Sequence, residues 1–248
     1  MTHHSQIDAG PLRSLSPRPW RELEAVWSLA GGSLRRRERR GLVRGEANVT
    51  VIPGFLTGDS ATWMLRRRLR RLGHRVRGWG LGLNRGNVEA LVPALVERTA
   101  RDAQRMGEPL HLVGWSLGGF LAREVARETP KSVAQVITLA SPIVGGPKYT
   151  SAAHRYRQRG VDLDAIERQV AERDQTHPLR RPVTAIWSRR DSVVCPASCI
   201  DRVNDHVRHV EVDCAHASFA FDDAVLAIVA QTLASPLEPE LTPFERDR

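Results

Sequence analysis

Residues 110–120 read LHLVGWSLGGF. A short apolar run ends abruptly at Gly114-Trp115-Ser116-Leu117-Gly118-Gly119, and Leu117, Leu121 and Val125 then recur on one helical stripe. A strand, a tight turn with serine at its apex and a helix form the G-x-S-x-G nucleophile elbow. The turn lifts the hydroxyl clear of the backbone. The positions around it must lack side chains so that helix and strand can approach. Ser116 is therefore the candidate nucleophile, and its partners are expected on later strand ends.

Outward from the elbow, apolar strand-like runs alternate with helical patterns. Strands are expected over 47–53, 74–79, 110–115, 133–139, 182–187 and 207–213. Helices are expected over 60–72, 88–99 and 224–233, the second carrying Val88, Leu91, Val92, Leu95 and Val96 on one face. Pro93 in that stripe should kink the helix or mark its first turn. Strands alternating with helices imply an α/β protein with a mostly parallel sheet of about six strands, covered on both faces. Between about 146 and 181 the alternation lapses, and only Leu163, Ile166 and Val170 support a helix. This segment crosses the edge of the sheet where ligands bind, so it reads as a small lid inserted in a domain spanning 46–236.

A serine hydroxyl needs a base to take its proton, and the base needs an acid to fix its tautomer. Around an elbow of this kind the chain order is serine, acid, histidine. His216 follows the last expected strand and precedes the closing helix, whereas His206 and His209 enter that strand rather than leave it. Asp191 lies just past an earlier strand, in Trp187-Ser188-Arg189-Arg190-Asp191. Asp213 is the competing carboxylate, very close to His216 along the chain. The Pro53-Gly54 turn after the first strand is either an ordinary turn or one wall of an oxyanion hole. In the second case the donors are the amides of Phe55 and Leu117, with Leu56 in reserve. Leu56, Trp115, Ile143, Val144 and Phe219 are candidates for an apolar pocket edge, although such side chains can equally be core.

Over residues 48–233 the chain resembles the α/β-hydrolase superfamily, in its bacterial lipase and esterase branch. Beyond the elbow, VIPGFLTGD at 51–59, GWGLGLNRG at 78–86, TLASPIVGG at 138–146 and SRRDSVV at 188–194 carry the resemblance. It implies Ser116 as nucleophile, Asp191 as acid, His216 as base, and Phe55 and Leu117 as oxyanion donors. It also implies hydrolysis of a small-molecule carboxylic ester through an acyl-enzyme, with no cofactor and no metal. Thioester cleavage, acyl transfer or non-catalytic binding on the same scaffold are the alternatives. Two positions depart from the common pattern: Pro53 and Trp115 stand where many members have histidine. Neither exchange removes a backbone donor, so both bear on pocket shape. Little sequence precedes 48 for the family's first two strands, so the sheet should be a reduced one.

The chain has 248 residues, with 37 Lys and Arg against 28 Asp and Glu, for a net charge of +9. Its basic runs, at 35–40 and 66–71, are not interleaved with aromatics as a single-strand nucleic-acid surface would be. A solvated arginine-rich surface accounts for them, and no nucleic-acid partner is expected. Weak attraction of the N-terminal region to an anionic membrane is the sharper reading. Residues 1–18 read as a loose tail and 237–248 as another. Trp20, Leu23 and Trp27 mark a short helix at 19–30, which packs on the domain or touches a partner, and an arginine-rich linker extends to 45. The start lacks a signal-peptide core, and no apolar run approaches the roughly 20 residues of a membrane span. A cytoplasmic protein with an apolar, lipid-like ester substrate is expected. Cys195, Cys199 and Cys214 match no strong zinc spacing. They are expected as buried thiols, with a Cys199–Cys214 bridge as the alternative.

Overall fold

The computed structural model describes residues 7–15, 42–204 and 206–236. Six parallel strands form the sheet: β1 (Asn48–Ile52), β2 (Arg75–Gly78), β3 (Leu110–Trp115), β4 (Val133–Leu139), β5 (Val183–Trp187) and β6 (Val207–Glu211). Their spatial order is β2-β1-β3-β4-β5-β6. The chain enters at β1, steps outward to β2, then crosses back past β1 to β3. The strand order thus reverses between β1 and β3, and the crevice outside the carboxyl ends of those two strands is where an open α/β sheet binds ligands.

The expected strands and the parallel sheet are present, with strand limits within two residues of those read from the sequence. The helices are α1 (Trp63–Arg71), α2 (Val88–Met106), α3 (Leu117–Glu128), α4 (Ala153–Gln158), α5 (Leu163–Thr176) and α6 (Asp223–Ala234). Side chains alternate across each strand. Val49, Val51 and Val113 therefore meet Leu65, Leu69, Val225 and Val229 of α1 and α6 on one face. Ile52, Leu110 and Leu112 meet Leu95, Leu121 and Val125 of α2 and α3 on the other.

Two expectations change. Helix α2 runs through Pro93 to Met106. The helical bond that Pro93 cannot donate would go to the carbonyl of Glu89, in the exposed first turn where water reaches it. Residues 7–15 are not a loose tail. Ala9 is buried against Trp187, Cys195 and Ile200, with Ile7 and Leu15 beside them. The Arg202 guanidinium donates to the Ile7 carbonyl at 3.3 Å. Three apolar residues in a short irregular stretch carry no periodicity, so only the packing reveals their role. The expected helix at 19–30, the arginine run at 35–40 and the tail at 237–248 lie outside the described residues.

The connection from β4 to β5 carries α4 and α5. Asp162 starts α5 by accepting the amides of Asp164 at 2.9 Å and Ala165 at 3.0 Å, an N-cap. Near its start, Glu167 takes the Tyr149 hydroxyl at 2.5 Å and pairs with Lys148. Toward its end, Arg173 pairs with Glu124 at 2.8 Å and Glu128 at 2.7 Å, both on α3. Asp174 pairs with Arg127 and with buried Arg123, and Arg123 also reaches Asp201 at 2.7 Å. Among the described residues, no helix is long and apolar enough to cross a membrane.

Candidate active site

Ser116 sits between β3 and α3 at φ 55°, ψ −125°, a conformation that costs a non-glycine residue of order 1–3 kcal/mol. The surroundings hold it there. Its amide donates to the Leu139 carbonyl at 2.8 Å. The elbow glycines are crowded by backbone: a Cβ on Gly114 would lie 2.3 Å from the Gly118 carbonyl oxygen, and one on Gly118 would lie 2.2 Å from that of Ile52. Ser116 is also the N-cap of α3, so the positive end of the helix dipole faces its side of the crevice.

Asp191 and His216 arrive from the loops after β5 and β6. The His216 Nδ1 lies 2.8 Å from Asp191 Oδ2, and both residues are 6% exposed. The other carboxylate oxygen, Oδ1, accepts the amides of Val193 and Val194 at 2.8 Å each. The loop thereby fixes the carboxylate and leaves Oδ2 aimed at the imidazole. On its far side His216 is held by Trp115, whose ring centroid lies 5.7 Å away and whose Nε1 donates to the His216 carbonyl at 3.3 Å. Trp115 adjoins Ser116, and Ser116 and His216 border the same cavity of about 410 Å³. The rival groups lie elsewhere. Asp213 points outward beside Arg190 at 3.6 Å, 82% exposed along its side chain. His209 accepts the Asp201 amide at 3.0 Å, and His206 precedes β6 at the opposite end of the sheet.

The turn after β1 closes against the elbow. A Cβ on Gly54 would come within 3.2 Å of Ser116 Cβ, so glycine lets the turn lie on the serine. Among the described residues, no protein group takes up the Phe55 or Leu117 amide. The Leu56 amide is engaged, donating to the Asn84 carbonyl at 2.7 Å. Fully buried Asn84 pins this turn from both sides. Its Nδ2 donates to the Pro53 carbonyl at 2.9 Å, its amide donates to the Thr57 carbonyl at 2.8 Å, and its Oδ1 accepts the Gly86 amide at 3.1 Å. Asp59 makes a second clasp by accepting the amides of Trp79 at 3.0 Å and Gly80 at 3.2 Å. In the sequence, Asn84 sits in the glycine-rich 78–86 stretch with nothing to mark this role.

Phe55, Leu56, Trp115 and Leu117 line the Ser116 cavity, together with Tyr156 and Ala152 from the β4–β5 connection. Phe219 and Ile143 are core residues instead. Phe219 is buried with Cys214 and Val225, Ile143 is buried, and neither they nor Val144 line this cavity or the larger one beside it. An apolar side chain in a loop satisfies either environment, and here the loops fold Ile143 and Phe219 inward while Val144 stays half-buried. Burial pushes the Tyr156 phenol up to about 12, so it stays neutral in the cavity wall. All three cysteines are free and buried. Burial, reinforced by the Asp191 charge, raises the Cys199 thiol, and Cys214 is raised by burial and neighbouring carboxylates. Among the described residues, no three His, Cys, Asp or Glu side chains cluster as metal ligands do.

No family model matches the chain, and no curated protein matches it in sequence. Solved structures do match. A structure from the metagenome-derived lipolytic enzymes LipS and LipT superposes with a TM-score of 0.57 at 16% identity, covering 77% of this chain and 94% of that one. The chain has the α/β-hydrolase fold. A pyrethroid hydrolase, PytH, gives 0.57 at 16% identity over 78% of this chain and 100% of its own. The monoacylglycerol lipase of Paleococcus ferrophilus gives 0.56 at 16% identity over 77% and 96%. The crevice between β1 and β3 is the elbow end of the sheet, and the α4–α5 segment connects β4 to β5.

Proposed function

We propose that this α/β-hydrolase-fold chain is a serine hydrolase that cleaves carboxylic esters bearing an apolar acyl group. The observation that carries the reading is the buried His216–Asp191 hydrogen bond, with its imidazole bordering the cavity of the strained Ser116. Lipolytic enzymes and a monoacylglycerol lipase among the similar structures support it.

Ser116 Oγ attacks the ester carbonyl carbon while its proton passes to Nε2 of His216. The Nδ1–H of that ring donates to Asp191 Oδ2, which orients the base and stabilises the imidazolium. The carbonyl oxygen becomes an oxyanion and takes hydrogen bonds from the Phe55 and Leu117 amides, each worth about 10²–10³ in rate. As the carbonyl re-forms, the bond to the alcohol oxygen breaks and Nε2 returns its proton to that oxygen. A water then gives its proton to Nε2 and attacks the acyl-enzyme. Collapse of the second intermediate releases the acid and restores the Ser116 hydroxyl. Each step uses groups that this chain supplies.

A fluorophosphonate probe tests the assignment. Folded protein is expected to carry one adduct, on Ser116, with loss of esterase activity in proportion. Ester turnover that survives without that adduct would sink the reading. The oxyanion turn has its own test. Asn84→Ala leaves the buried Pro53 carbonyl unpaired, so stability should fall by about 1–3 kcal/mol. Loosening two donors by a fraction of an ångström should lower kcat for p-nitrophenyl acetate by roughly tenfold to a hundredfold, with KM little changed. Denaturant melts and steady-state kinetics read the two effects separately.

A further inference from the structure

Beside the Ser116 cavity lies a second cavity of about 950 Å³, between α2, α3 and α5. This is the upper end of the roughly 300–1,000 Å³ found for small-molecule sites. Its walls are mostly apolar, formed by Val88, Val92 and Val96 from α2, Phe120 from α3, and Ile166 and Val170 from α5, with charged side chains such as Glu97, Glu128 and Arg173 also bordering it. Leu117, Pro142, Pro147 and Tyr156 border both cavities, so the second continues the first. Tyr156 stands at the junction, its ring centroid 5.3 Å from that of Phe55.

Two apolar faces separated by open space would gain about 25 cal/mol for every Å² that closure removed from water. Here polar struts oppose that collapse. At one end of α5, Glu167 is held by Tyr149 and Lys148, and at the other Arg173 and Asp174 are held by four charged residues of α3. The apolar face of α5 is thereby held off α2 and α3 while both its ends are tied down. Such a space is built to be filled, and its continuity with Ser116 says by what.

We propose that this cavity receives the far end of a long, unbranched acyl chain whose carbonyl lies at Ser116. The inference rests on the ester-hydrolase reading for the placement of the carbonyl. Val88, Val92 and Val96 form one stripe along α2, spanning about 12 Å of helix axis. At roughly 1.3 Å per methylene of an extended chain, that stripe takes nine or ten carbons beyond those lodged beside Ser116. The substrate class is therefore a medium- to long-chain acyl ester. The chain passes the Phe55–Tyr156 pair and runs along the α2 valines, while the exposed carboxylates of Glu89 and Glu97 on the same helix stand at the cavity rim, Glu97 paired with Arg101 at 2.5 Å. The carboxylates of Glu124 and Glu128 at the rim are already paired with Arg173.

The experiment is calorimetric titration of Ser116→Ala with laurate and with butyrate, neither of which requires turnover. Laurate is expected to bind at least about a hundredfold more tightly, since each buried methylene adds a factor of a few. Val92→Trp and Val170→Trp, each made separately in the Ser116→Ala background, should remove most of that difference by filling the cavity. They lie on different helices, so a folding defect in one leaves the other to report. The comparison of the two fatty acids on Ser116→Ala needs neither. Laurate binding no tighter than butyrate, or laurate affinity unmoved in a folded tryptophan variant, would overturn the inference. The two proposals separate cleanly. Laurate binding without any fluorophosphonate adduct in the wild type would retain the cavity and remove the hydrolase. Turnover of acetyl esters without laurate binding would do the reverse.

Discussion

Ser116→Ala is expected to take ester turnover down by about 10⁴–10⁶ in kcat, with the fold intact. The hydroxyl makes no capping bond to α3, so its removal leaves no buried group unpaired. The residual rate would come from the Phe55 and Leu117 amides and from binding. Ser116→Gly sharpens the test. The backbone at φ 55°, ψ −125° is costly for any residue with a Cβ, so glycine should raise stability by about 1 kcal/mol while being equally inactive. Inactivity with a higher melting temperature is the signature of a residue kept in strain for its chemistry. A variant that keeps more than about a hundredth of the wild-type rate would assign the attack to another group.

Asp191→Asn is expected to lower kcat/KM by about 10⁴, and the hydrogen bonds on this loop say why. Oδ1 accepts two backbone amides, so the asparagine must place its oxygen there and turn its NH₂ toward His216. The ring then accepts at Nδ1 and carries its proton on Nε2. The lone pair that should receive the Ser116 proton is gone, although no atom has moved far. The loop keeps its two hydrogen bonds, so the melting temperature should change far less than the rate. Asp213→Asn serves as the control and should leave kinetics near wild type. The reverse pattern, with Asp213 critical and Asp191 dispensable, would reassign the acid.

Much of this architecture is legible in the amino-acid sequence. Parallel strands buried on both faces read as short apolar runs, and 133–139 and 183–187 are nearly uniform. The elbow was legible because its glycine spacing has a steric cause. What escaped detection depends on tertiary contact. The six-residue α4, AHRYRQ, has no apolar stripe and is seated by Tyr156 against Phe55. Ile143 and Phe219 are apolar loop residues, and composition does not say whether such a residue turns toward a pocket or a core. Asn84 lies in a glycine-rich stretch where asparagine usually signals a turn. Its three hydrogen bonds to the 53–57 backbone follow from the meeting of two distant loops. The larger cavity was invisible for a related reason: Val88, Val92 and Val96 carry the same helical stripe whether they face a neighbour or a gap.

The crowding at the elbow has a wider consequence. The strictest demands there concern hydrogen atoms at three glycine Cα positions and main-chain groups that every residue type supplies. Very few positions therefore need a particular letter, and the rest of the domain is free to drift as long as strands stay apolar and loops stay long enough. Such an architecture can keep its shape while its spelling is almost wholly rewritten. Agreement at 16% identity over three-quarters of the chain is what that freedom leaves behind.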